Sequence, residues 1–422
     1  MISTEFIDSI ARLPGIDLDA FVRAMAESPS VSIKLNKRKP IDPPLLGYGE
    51  LEKVKWCDSG YYLPQRSIFT LNPLLHAGVF YVQDASSMIY ETIVSRLIAE
   101  HSLPSDALTL DMCAAPGGKS TSMLNALGDG ATLVANEYTS RRVGPLKENL
   151  LKWGYPDIMI TNSDTACYAK VAEVFDLVAV DAPCSGEGMM RKDEDAVAQW
   201  GPGLVRQCAE LQRYILDNAV KTLRPGGYLI YSTCTFNRSE DEENLRYLIE
   251  DLGMEPIDMD LPEEWGIGAA IDSPYPALRF MPHLTRGEGL FTAVVRKPGS
   301  DTRPQRAKAL REIARHTHVI LDGIPTTTAK GKVTLPAPES PLSVRFAAEE
   351  YPEVELDRDT ALSYLRHEAI TLPAGSPRGY TVVTYLGHRL GFVKNIGNRA
   401  NNLHPSPWRI RMQSNDNTLS NN

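Results

Sequence analysis

The sequence predicts an α/β protein whose core is a doubly wound, mostly parallel sheet, because short apolar runs alternate with amphipathic stretches between residues 97 and 298. Five runs have the length and composition of buried strands: 107–112, 132–137, 157–162, 175–181 and 227–233. Four stretches have helical periodicity: 119–127, 141–153, 204–223 and 239–251. A further apolar run, 289–296, predicts an antiparallel edge strand.

The rest of the chain divides into regions of different character. Residues 1–95 carry mixed helix and strand signals and predict an N-terminal α+β region, ahead of a core at 96–298. Residues 299–365 are interpreted as a linker or weakly structured insert, since their first part is rich in Pro, Thr, Arg and Lys. Residues 366–412 predict a small β-rich module, because two strand-like runs flank a glycine turn. The polar tail at 413–422 is expected to be disordered.

The composition is that of a folded soluble protein, with 43% hydrophobic and 23% charged residues in a chain of 422. No apolar run reaches the ~18 residues that a membrane span needs. The first residues lack a basic stretch followed by an apolar one, so no signal peptide is expected. The sequence therefore predicts a cytoplasmic protein, monomeric and without a membrane partner.

Cysteine usage argues against both disulfides and metal. The six cysteines form no CxxC pair and no Cys/His spacing typical of zinc sites. No metal is therefore expected, and most of these thiols should be small buried groups. They are Cys57, Cys113, Cys167, Cys184, Cys208 and Cys234.

The charge distribution points to a polyanion, although the net charge of −9 by itself argues against one. Val31–Lys39 contains four basic and no acidic residues, and Ala369–Asn415 contains six basic and no acidic residues. Such local clusters favour RNA binding, with a basic solvated face as the alternative. The candidate phosphate contacts are Lys34, Lys37, Arg38, Lys394 and Arg399.

A glycine-containing turn follows the first predicted core strand. The segment DMCAAPGGKS, from Asp111 to Ser120, leads from that strand into a helix. Its small residues let the backbone approach a ligand, and the first amides of the helix point into the same space. The segment lacks the GxGxxG pattern, which disfavours a nicotinamide cofactor. A turn of this kind alone is equally compatible with a purely structural role.

Carboxylates stand at three successive strand ends. Glu137 ends the second strand, Asp164 follows the third and Asp181 ends the fourth. Because ligands of doubly wound sheets bind beyond the carboxyl ends of the strands, the three acids predict a cofactor that carries adenosine. Glu137 lies at the strand end where, in doubly wound sheets, a carboxylate commonly accepts hydrogen bonds from the two ribose hydroxyls of a nucleoside. Asp164 could equally be a helix cap.

Two cysteines follow neighbouring strands. Cys184 lies in DAPCSGEGMMRKD after the fourth strand, and Cys234 lies in YSTCTFNRSEDEEN after the fifth. Both thiols are therefore expected in one crevice with Asp181. A helix start near Ser239 is expected to lower the pKa of the Cys234 thiol through its dipole.

A pair of thiols suits methylation of a pyrimidine carbon. Carbon 5 of cytosine becomes nucleophilic when a thiolate adds to carbon 6, and a base must later remove the carbon 5 proton. An acid such as Asp181 can bond the pyrimidine edge as nitrogen 3 gains charge. Methylation of an exocyclic amine needs no thiol and usually has Asn/Asp-Pro-Pro-aromatic at this strand end, where this chain has Asp-Ala-Pro-Cys.

These motifs resemble the RNA cytosine-C5 methyltransferases of the Sun type, and most closely the bacterial RsmF/YebU branch, which modifies small-subunit ribosomal RNA. The matching segments are CAAPGGKS, DAPCSGEGMMRKD, GGYLIYSTCT, PHLTRGEGLFTAVVRK and FYVQDASSM. The stretch 379–411 is similar to a small RNA-binding module of the PUA type. The resemblance implies a Rossmann-like core that uses S-adenosylmethionine and a PUA-like C-terminal module.

The resemblance also implies a role for each matching residue. Glu137 would hold the ribose of the cofactor, Asp164 would lie near its adenine, and Asp181 would lie beside cofactor and base. Cys234 would be the covalent nucleophile, and Cys184 would help to release the product. DNA cytosine methyltransferases use the cysteine of the Pro-Cys motif instead, so the choice of Cys234 rests on the resemblance. The cofactor would be cradled by Cys113, Ala114, Ala115, Pro116, Gly117, Gly118 and Lys119.

Two other functions fit the same sequence. One is a transfer-RNA cytosine-C5 methyltransferase, since the chemistry serves both substrates. The other is a non-catalytic ribosome-assembly factor that keeps the fold and binds RNA. The presence of both cysteines and of all three acids argues against the second.

Overall fold

The computed structural model describes residues 2–300, 302–331 and 333–412. Its N-terminal part contains helices around a small antiparallel sheet. In chain order these elements are α1 (Thr4–Ala11), α2 (Leu18–Ala26), β1 (Val31–Leu35), β2 (Glu52–Lys53), β3 (Gly60–Leu63), α3 (Pro73–His76), β4 (Phe80–Val82) and α4 (Ile89–Glu100). The strand order in this sheet is β2-β3-β1-β4.

The central part is built on one large sheet with helices on both faces. Its first elements are β5 (Leu108–Asp111), α5 (Gly118–Ala126), β6 (Thr132–Asn136), α6 (Ser140–Trp153), β7 (Ile158–Thr161), α7 (Thr165–Tyr168), β8 (Phe175–Asp181), α8 (Glu194–Gln199), α9 (Pro202–Thr222) and β9 (Leu223–Thr233). They are followed by α10 (Glu242–Arg246), β10 (Glu255–Ile257), β11 (Gly268–Ala269), β12 (Leu278–Phe280), β13 (Leu290–Arg296), α11 (Arg306–His316) and β14 (Val319–Asp322).

The order of strands in this sheet places a crevice beside β5. The order is β11-β12-β13-β9-β8-β5-β6-β7-β14, with β10 paired to β13. Neighbours from β9 to β7 run parallel, whereas β13 and β14 are antiparallel edges of that parallel block. The chain winds from β5 towards β7 and then returns to β8 on the other side of β5. Ligands bind at such a switch point, outside the carboxyl ends of the strands.

The predicted doubly wound core is confirmed, because its strands are nearly continuous apolar runs that are buried on both faces of the sheet. The expected antiparallel edge strand is β13. One helix start was wrong: the helix expected from Ser239 begins at Glu242 and continues as a π-helical turn over Tyr247–Asp251. A turn therefore separates Cys234 from this helix, so the expected helix start next to the thiol is not found.

The interpretation of 299–365 as a linker is also wrong, since this stretch contains part of the core. Helix α11 buries Ala309 and Ile313 against the central sheet. Strand β14 pairs antiparallel with β7. Arg303 and Arg306 pair with Asp106, which fixes the connection to the sheet. Strand β14 has only four residues, three of them aliphatic, and the edge of β7 supplies its hydrogen bonds.

A hairpin and a small sheet complete the described chain. The elements are β15 (Thr327–Lys330), β16 (Val333–Pro336), β17 (Glu353–Glu355), α12 (Arg358–Leu365), β18 (Gly379–Tyr385), β19 (His388–Asn395) and β20 (Ala400–Asn402). Strand β17 runs parallel to β18 in a sheet of order β17-β18-β19-β20. The C-terminal module therefore begins before residue 366, the start that the sequence predicted. The tail predicted at 413–422 lies outside the described residues.

The parts of the chain share buried contacts. The N-terminal sheet and the C-terminal module contribute to one apolar cluster that includes Ile33, Phe80, Leu365 and Val393. Among the described residues, no helix is both long and apolar enough to cross a membrane.

Candidate active site

The turn between β5 and α5 forms one wall of the crevice. Gly117 has a φ of +111°, a left-handed conformation that glycine adopts without steric cost. The Ala114 amide donates to the carbonyl of Asn136, 2.8 Å away. The Asn136 side chain donates to the carbonyls of Met112 and Ser163. The ends of β5, β6 and β7 are thereby held together around this turn.

Two buried carboxylates border the turn. Asp111 accepts a 2.6 Å hydrogen bond from the Ser120 hydroxyl, and its Oδ1 has no hydrogen-bond partner among the described residues. Burial raises the pKa of Asp111 to about 7. Glu137 accepts from the Thr139 amide at 2.7 Å, while its Oε2 lies 3.3 Å from the Arg142 guanidinium without forming a hydrogen bond. Both acids therefore retain acceptor capacity.

Asp164 caps a helix, as the alternative reading of the sequence had it. Its carboxylate accepts from the Ala166 amide at the start of α7 and from the Tyr214 hydroxyl, each at 2.8 Å. Asp164 lies just after the end of β7, where the sequence predicted it. Its role beside an adenine remains a prediction.

A cavity of about 210 Å³ connects the turn with Asp181. Of the predicted cofactor residues, its lining contains Cys113, Ala114, Ala115, Pro116, Gly118, Lys119 and Asp181. Gly117, Glu137 and Asp164 do not line this cavity. The opposite wall comes from the N-terminal part of the chain, through Tyr81, Val82, Gln83, Asp84 and Ser87. Residue-by-residue reasoning did not assign these five, although the segment FYVQDASSM was part of the family resemblance.

Asp181 is held by partners on three elements. Lys119 Nζ lies 2.8 Å from one carboxylate oxygen, and the Ser232 hydroxyl donates to the other at 2.8 Å. The Tyr90 hydroxyl lies 2.8 Å from that of Ser232. Burial alone would lower the pKa of Lys119, but the Asp181 carboxylate outweighs it and raises that pKa. Lys119 therefore stays cationic beside the acid.

The two cysteines meet in the crevice, as predicted. Their Sγ atoms are 3.0 Å apart, and both side chains are partly exposed. The Cys184 pKa is raised well above its ordinary value by the hydrogen bond to the Cys234 sulfur, by burial and by the negative charge of nearby Glu240. The protonated form of Cys184 is therefore favoured, and either thiol can donate in the contact between the two sulfurs.

Buried acids join the two cysteine loops, and sequence reasoning missed them. The Glu240 carboxylate accepts from the amide and hydroxyl of Ser185 at 3.0 and 2.5 Å. It also accepts from the side chains of Gln212 and Asn237 at 2.7 and 2.8 Å. Glu187 accepts from the Phe236 amide at 2.6 Å. The acidic run SEDEEN could have signalled them only if its burial were known.

A backbone contact and a buried arginine complete this bracing. The Gly188 amide donates to the carbonyl of Cys234 at 2.8 Å. The Arg279 side chain pairs with Asp241 and Glu242 at 2.9 and 2.7 Å and donates to the carbonyl of Phe236. The two thiols are therefore carried on loops that are fixed to one another.

The structure changes the expected RNA contacts in the N-terminal part. Lys34 is fully buried, and its ammonium donates to Gly118, Thr121 and Ser122. Its assignment as a phosphate contact is therefore wrong, because β1 packs this side chain against α5. Lys37 pairs with Glu91 at 2.7 Å, and Arg38 pairs with Asp129 at 2.9 Å.

The two candidates in the C-terminal module are exposed. Lys394 lies over the ring of Tyr380, and Arg399 lies in the turn before β20. Contact of these residues with RNA remains a prediction.

The crevice fits S-adenosylmethionine. Gly118 and Lys119, at the start of α5, line the cavity, and Tyr81 and Gln83 lie on its other side within van der Waals distance of the position that a Cβ on Gly118 would occupy. Glu137 and Asp111 each keep a buried oxygen that a hydroxyl or ammonium group can use. A doubly wound sheet with this turn and these acids defines the class of S-adenosylmethionine-dependent methyltransferases.

The chain belongs to the RsmB/F family of methyltransferases. The family profile described as 16S rRNA methyltransferase RsmB/F matches residues 102–296. The N-terminal domain of 16S rRNA methyltransferase RsmF matches 2–85, and the methyltransferase RsmF PUA domain matches 351–410. The last match agrees with the observed start of the C-terminal sheet at Glu353.

Curated relatives cover the same range. The ribosomal RNA small subunit methyltransferase F of Aliivibrio fischeri (strain MJ11) is 34% identical over 266 residues, which are 62% of this chain and 55% of that protein. The chain thus spans little more than half the length of this relative. The protein of the same name from Klebsiella pneumoniae (strain 342) is 28% identical over 445 residues and 92% of both chains.

Solved structures share the fold. NSun6 from Pyrococcus horikoshii, crystallised with SFG, has a TM-score of 0.60 and 19% identity over 71% of this chain and 99% of its own. A methyltransferase homologue from the same organism has a TM-score of 0.57 and 23% identity over 70% of this chain and 100% of its own.

Proposed function

We propose that this chain transfers a methyl group from S-adenosylmethionine to carbon 5 of a cytosine in RNA, with small-subunit ribosomal RNA as the substrate. The observation that supports it best is the 3.0 Å contact between the sulfurs of Cys184 and Cys234 on loops that follow β8 and β9. Methyl transfer to nitrogen or oxygen needs no such pair of thiols.

In this proposal Cys234 is the nucleophile. Its thiolate adds to carbon 6 of the cytosine, which makes carbon 5 electron-rich and able to take the methyl group. S-adenosylmethionine, when bound, supplies that methyl group to carbon 5. Asp181 and Lys119 lie at the crevice wall, where they can bond the pyrimidine edge as charge develops on nitrogen 3.

Cys184 serves the release step. After its own thiol proton has passed to water, its thiolate accepts the proton from carbon 5. The electrons of that C–H bond restore the double bond between carbons 5 and 6, and the sulfur of Cys234 leaves with the electrons of the C–S bond. Because the pKa of Cys184 is raised, only a small fraction of this thiol is ionised at neutral pH, so release should become faster as the pH rises.

The substrate assignment rests on the family. The Aliivibrio and Klebsiella relatives are named as small-subunit ribosomal RNA methyltransferases, and this chain has matching N-terminal, core and PUA regions. We further propose that the protein acts in the cytoplasm and as a monomer.

Adduct trapping tests the roles of the thiols. With RNA and cofactor, Cys234→Ala should form neither product nor a denaturation-resistant adduct. Cys184→Ala should form the adduct and accumulate it, since release is blocked. Cys57→Ala is the matched control, because Cys57 is a buried thiol in the N-terminal part of the chain that contacts Ser59, and it should behave as wild type. If Cys184→Ala formed neither product nor adduct while Cys234→Ala accumulated the adduct, the two roles would be reversed.

Methyl transfer tests the activity and the substrate. Labelled methyl groups should reach small-subunit RNA or particles and not transfer RNA, and bisulfite mapping should find them on a cytosine. Transfer to transfer RNA alone would correct the substrate. RNA binding without transfer to any RNA would support the non-catalytic assembly factor instead.

A further inference from the structure

A groove of about 860 Å³ lies between the N-terminal part of the chain and the core. One wall consists of residues around 27–31 and 63–66, which flank β1 and β3. The other wall consists of Pro282–Gly287, the loop before β13, together with Arg191. This groove is separate from the cofactor cavity and has no role in the chemistry described above.

The groove adjoins the crevice that holds the thiols. Gly287, at its end, packs so closely on the N-terminal part that an added Cβ would lie 2.4 Å from Ser86 Oγ. The neighbouring Glu288 amide donates to Asp84, which lines the cofactor cavity. Arg191 is on the loop that follows Cys184 and donates to the Gly287 carbonyl at 2.7 Å. A strand lying in the groove would therefore end beside the crevice.

The described residues of the groove carry more positive than negative charge. The lining contains three arginines and one acid, Glu27. Glu288 neutralises Arg191 at 2.8 Å. Arg66 is exposed and has no side-chain partner among the described residues. Arg286 lies 4.2 Å from the centre of the Tyr62 ring and pairs only with Glu52, which is itself well exposed.

Two polar atoms in the walls lack partners within the described chain. They are Ser30 Oγ and His283 Nδ1, both buried and without a hydrogen bond. Burial lowers the pKa of His283, so its ring is neutral and offers one donor and one acceptor. Buried polar atoms of this kind are uncommon unless a ligand or water bonds them.

We propose that this groove binds the single-stranded RNA segment next to the target cytosine, with Arg66 and Arg286 contacting its phosphates. The proposal rests on the proposed function, since it names where that substrate lies. A target base must leave its stack to be modified, so the adjoining strand is held in single-stranded form. A groove with exposed guanidinium groups suits such a strand.

The test is RNA binding at several salt concentrations. The probe is a fluorescein-labelled, single-stranded 20-nucleotide RNA with one central cytosine, and the readout is anisotropy. Arg66→Gln/Arg286→Gln should lower the slope of log K against log salt by about 0.7 per lost phosphate contact, which at 0.1 M salt is about fivefold per contact and roughly 25-fold for both. The matched control is Arg315→Gln/Arg345→Gln. Both arginines are exposed, each forms an ion pair at the surface, and neither lines the groove.

The outcomes separate the two proposals, because binding is read without methyl transfer. If Arg66→Gln/Arg286→Gln bound the RNA with the affinity and salt dependence of the unmodified protein, and the unmodified protein methylated RNA, the groove proposal alone would be overturned. An equal loss in the control variant would also overturn it, since the effect would then be one of overall charge. Binding that depends on the groove in a protein that methylates no RNA would overturn the proposed activity and leave the groove proposal standing.

Discussion

Replacing Glu240 by Gln tests whether the relative position of the two thiols is set by a buried carboxylate. The Glu240 side chain accepts four hydrogen bonds, two from Ser185 and one each from Gln212 and Asn237. A glutamine has one acceptor oxygen and one amide group that donates. Its amide fits best beside the Ser185 hydroxyl, which can turn and accept, and it then faces the donating amide of Asn237.

The magnitude follows from those contacts. A hydrogen bond to a charged group contributes about 1.5–3 kcal/mol, so losing the one from Asn237 should cost roughly that amount. For a unit of about 200 residues this corresponds to a fall in Tm of about 3 °C or more. The Ser185 loop carries Cys184, so we also expect slower release of product and an adduct that accumulates. Loss of the Glu240 charge should also lower the pKa of Cys184, which moves the pH dependence of release to lower pH.

The assay combines thermal unfolding with the yield of denaturation-resistant adduct over a pH series. Glu243→Gln is the control, because Glu243 is three residues away and exposed, and none of the described hydrogen bonds of the cysteine loops uses its side chain. If Glu240→Gln kept the wild-type Tm and the wild-type pH dependence of release, the argument that Glu240 positions Cys184 would be refuted. A lower Tm with an unchanged pH dependence would leave only a structural role.

Two further predictions concern the turn after β5. Asp111 has a pKa of about 7 in the folded protein against an ordinary 3.8, so its contribution to stability is fully present below pH 3.8 and is lost as the pH rises to about 7. The stability of wild type relative to Asp111→Asn should therefore fall between about pH 4 and 7, by up to roughly 4 kcal/mol, in urea unfolding; a pH-independent difference would contradict this. Gly117→Ala should weaken binding of S-adenosylhomocysteine about tenfold in calorimetry, because an alanine at φ +111° costs about 1–2 kcal/mol. Gly203→Ala, in helix α9 with open space around it, should bind as wild type, and equal affinities for both variants would show that the turn conformation does not matter.

The placement of the motifs could be predicted from the sequence because each depends on local order. The strand ALTLDM is followed directly by the turn, so the position of Cys113 to Lys119 at a strand end follows from the chain itself. The same holds for Cys184 after β8 and Cys234 after β9. Parallel neighbours bring their carboxyl ends to one edge, which is why the contact between the two sulfurs could be anticipated.

Elements stabilised by distant partners could not be predicted in this way. Strand β14 is an aliphatic run of only three residues followed by Asp322, and pairing with the edge of β7 makes it a strand. The sequence allowed two roles for Asp164, a contact with the cofactor or a helix cap, and in the structure its carboxylate caps α7. The five cavity residues before α4 come from the N-terminal part, which the sequence predicts as a region separate from the core.

The sequence by itself determined the fold class, the position of the glycine-containing turn after β5 and the position of the two thiols at neighbouring strand ends. Each of these features depends on residues that are adjacent in the chain. Only the tertiary structure decided which charges are available. Lys34 belongs to a basic run and yet is buried on α5, whereas Arg66 is exposed in a groove. Glu240 belongs to an acidic run and yet braces the Cys184 loop. Composition gives the number of charges, but burial and the partners that folding brings together determine what each charge can bind.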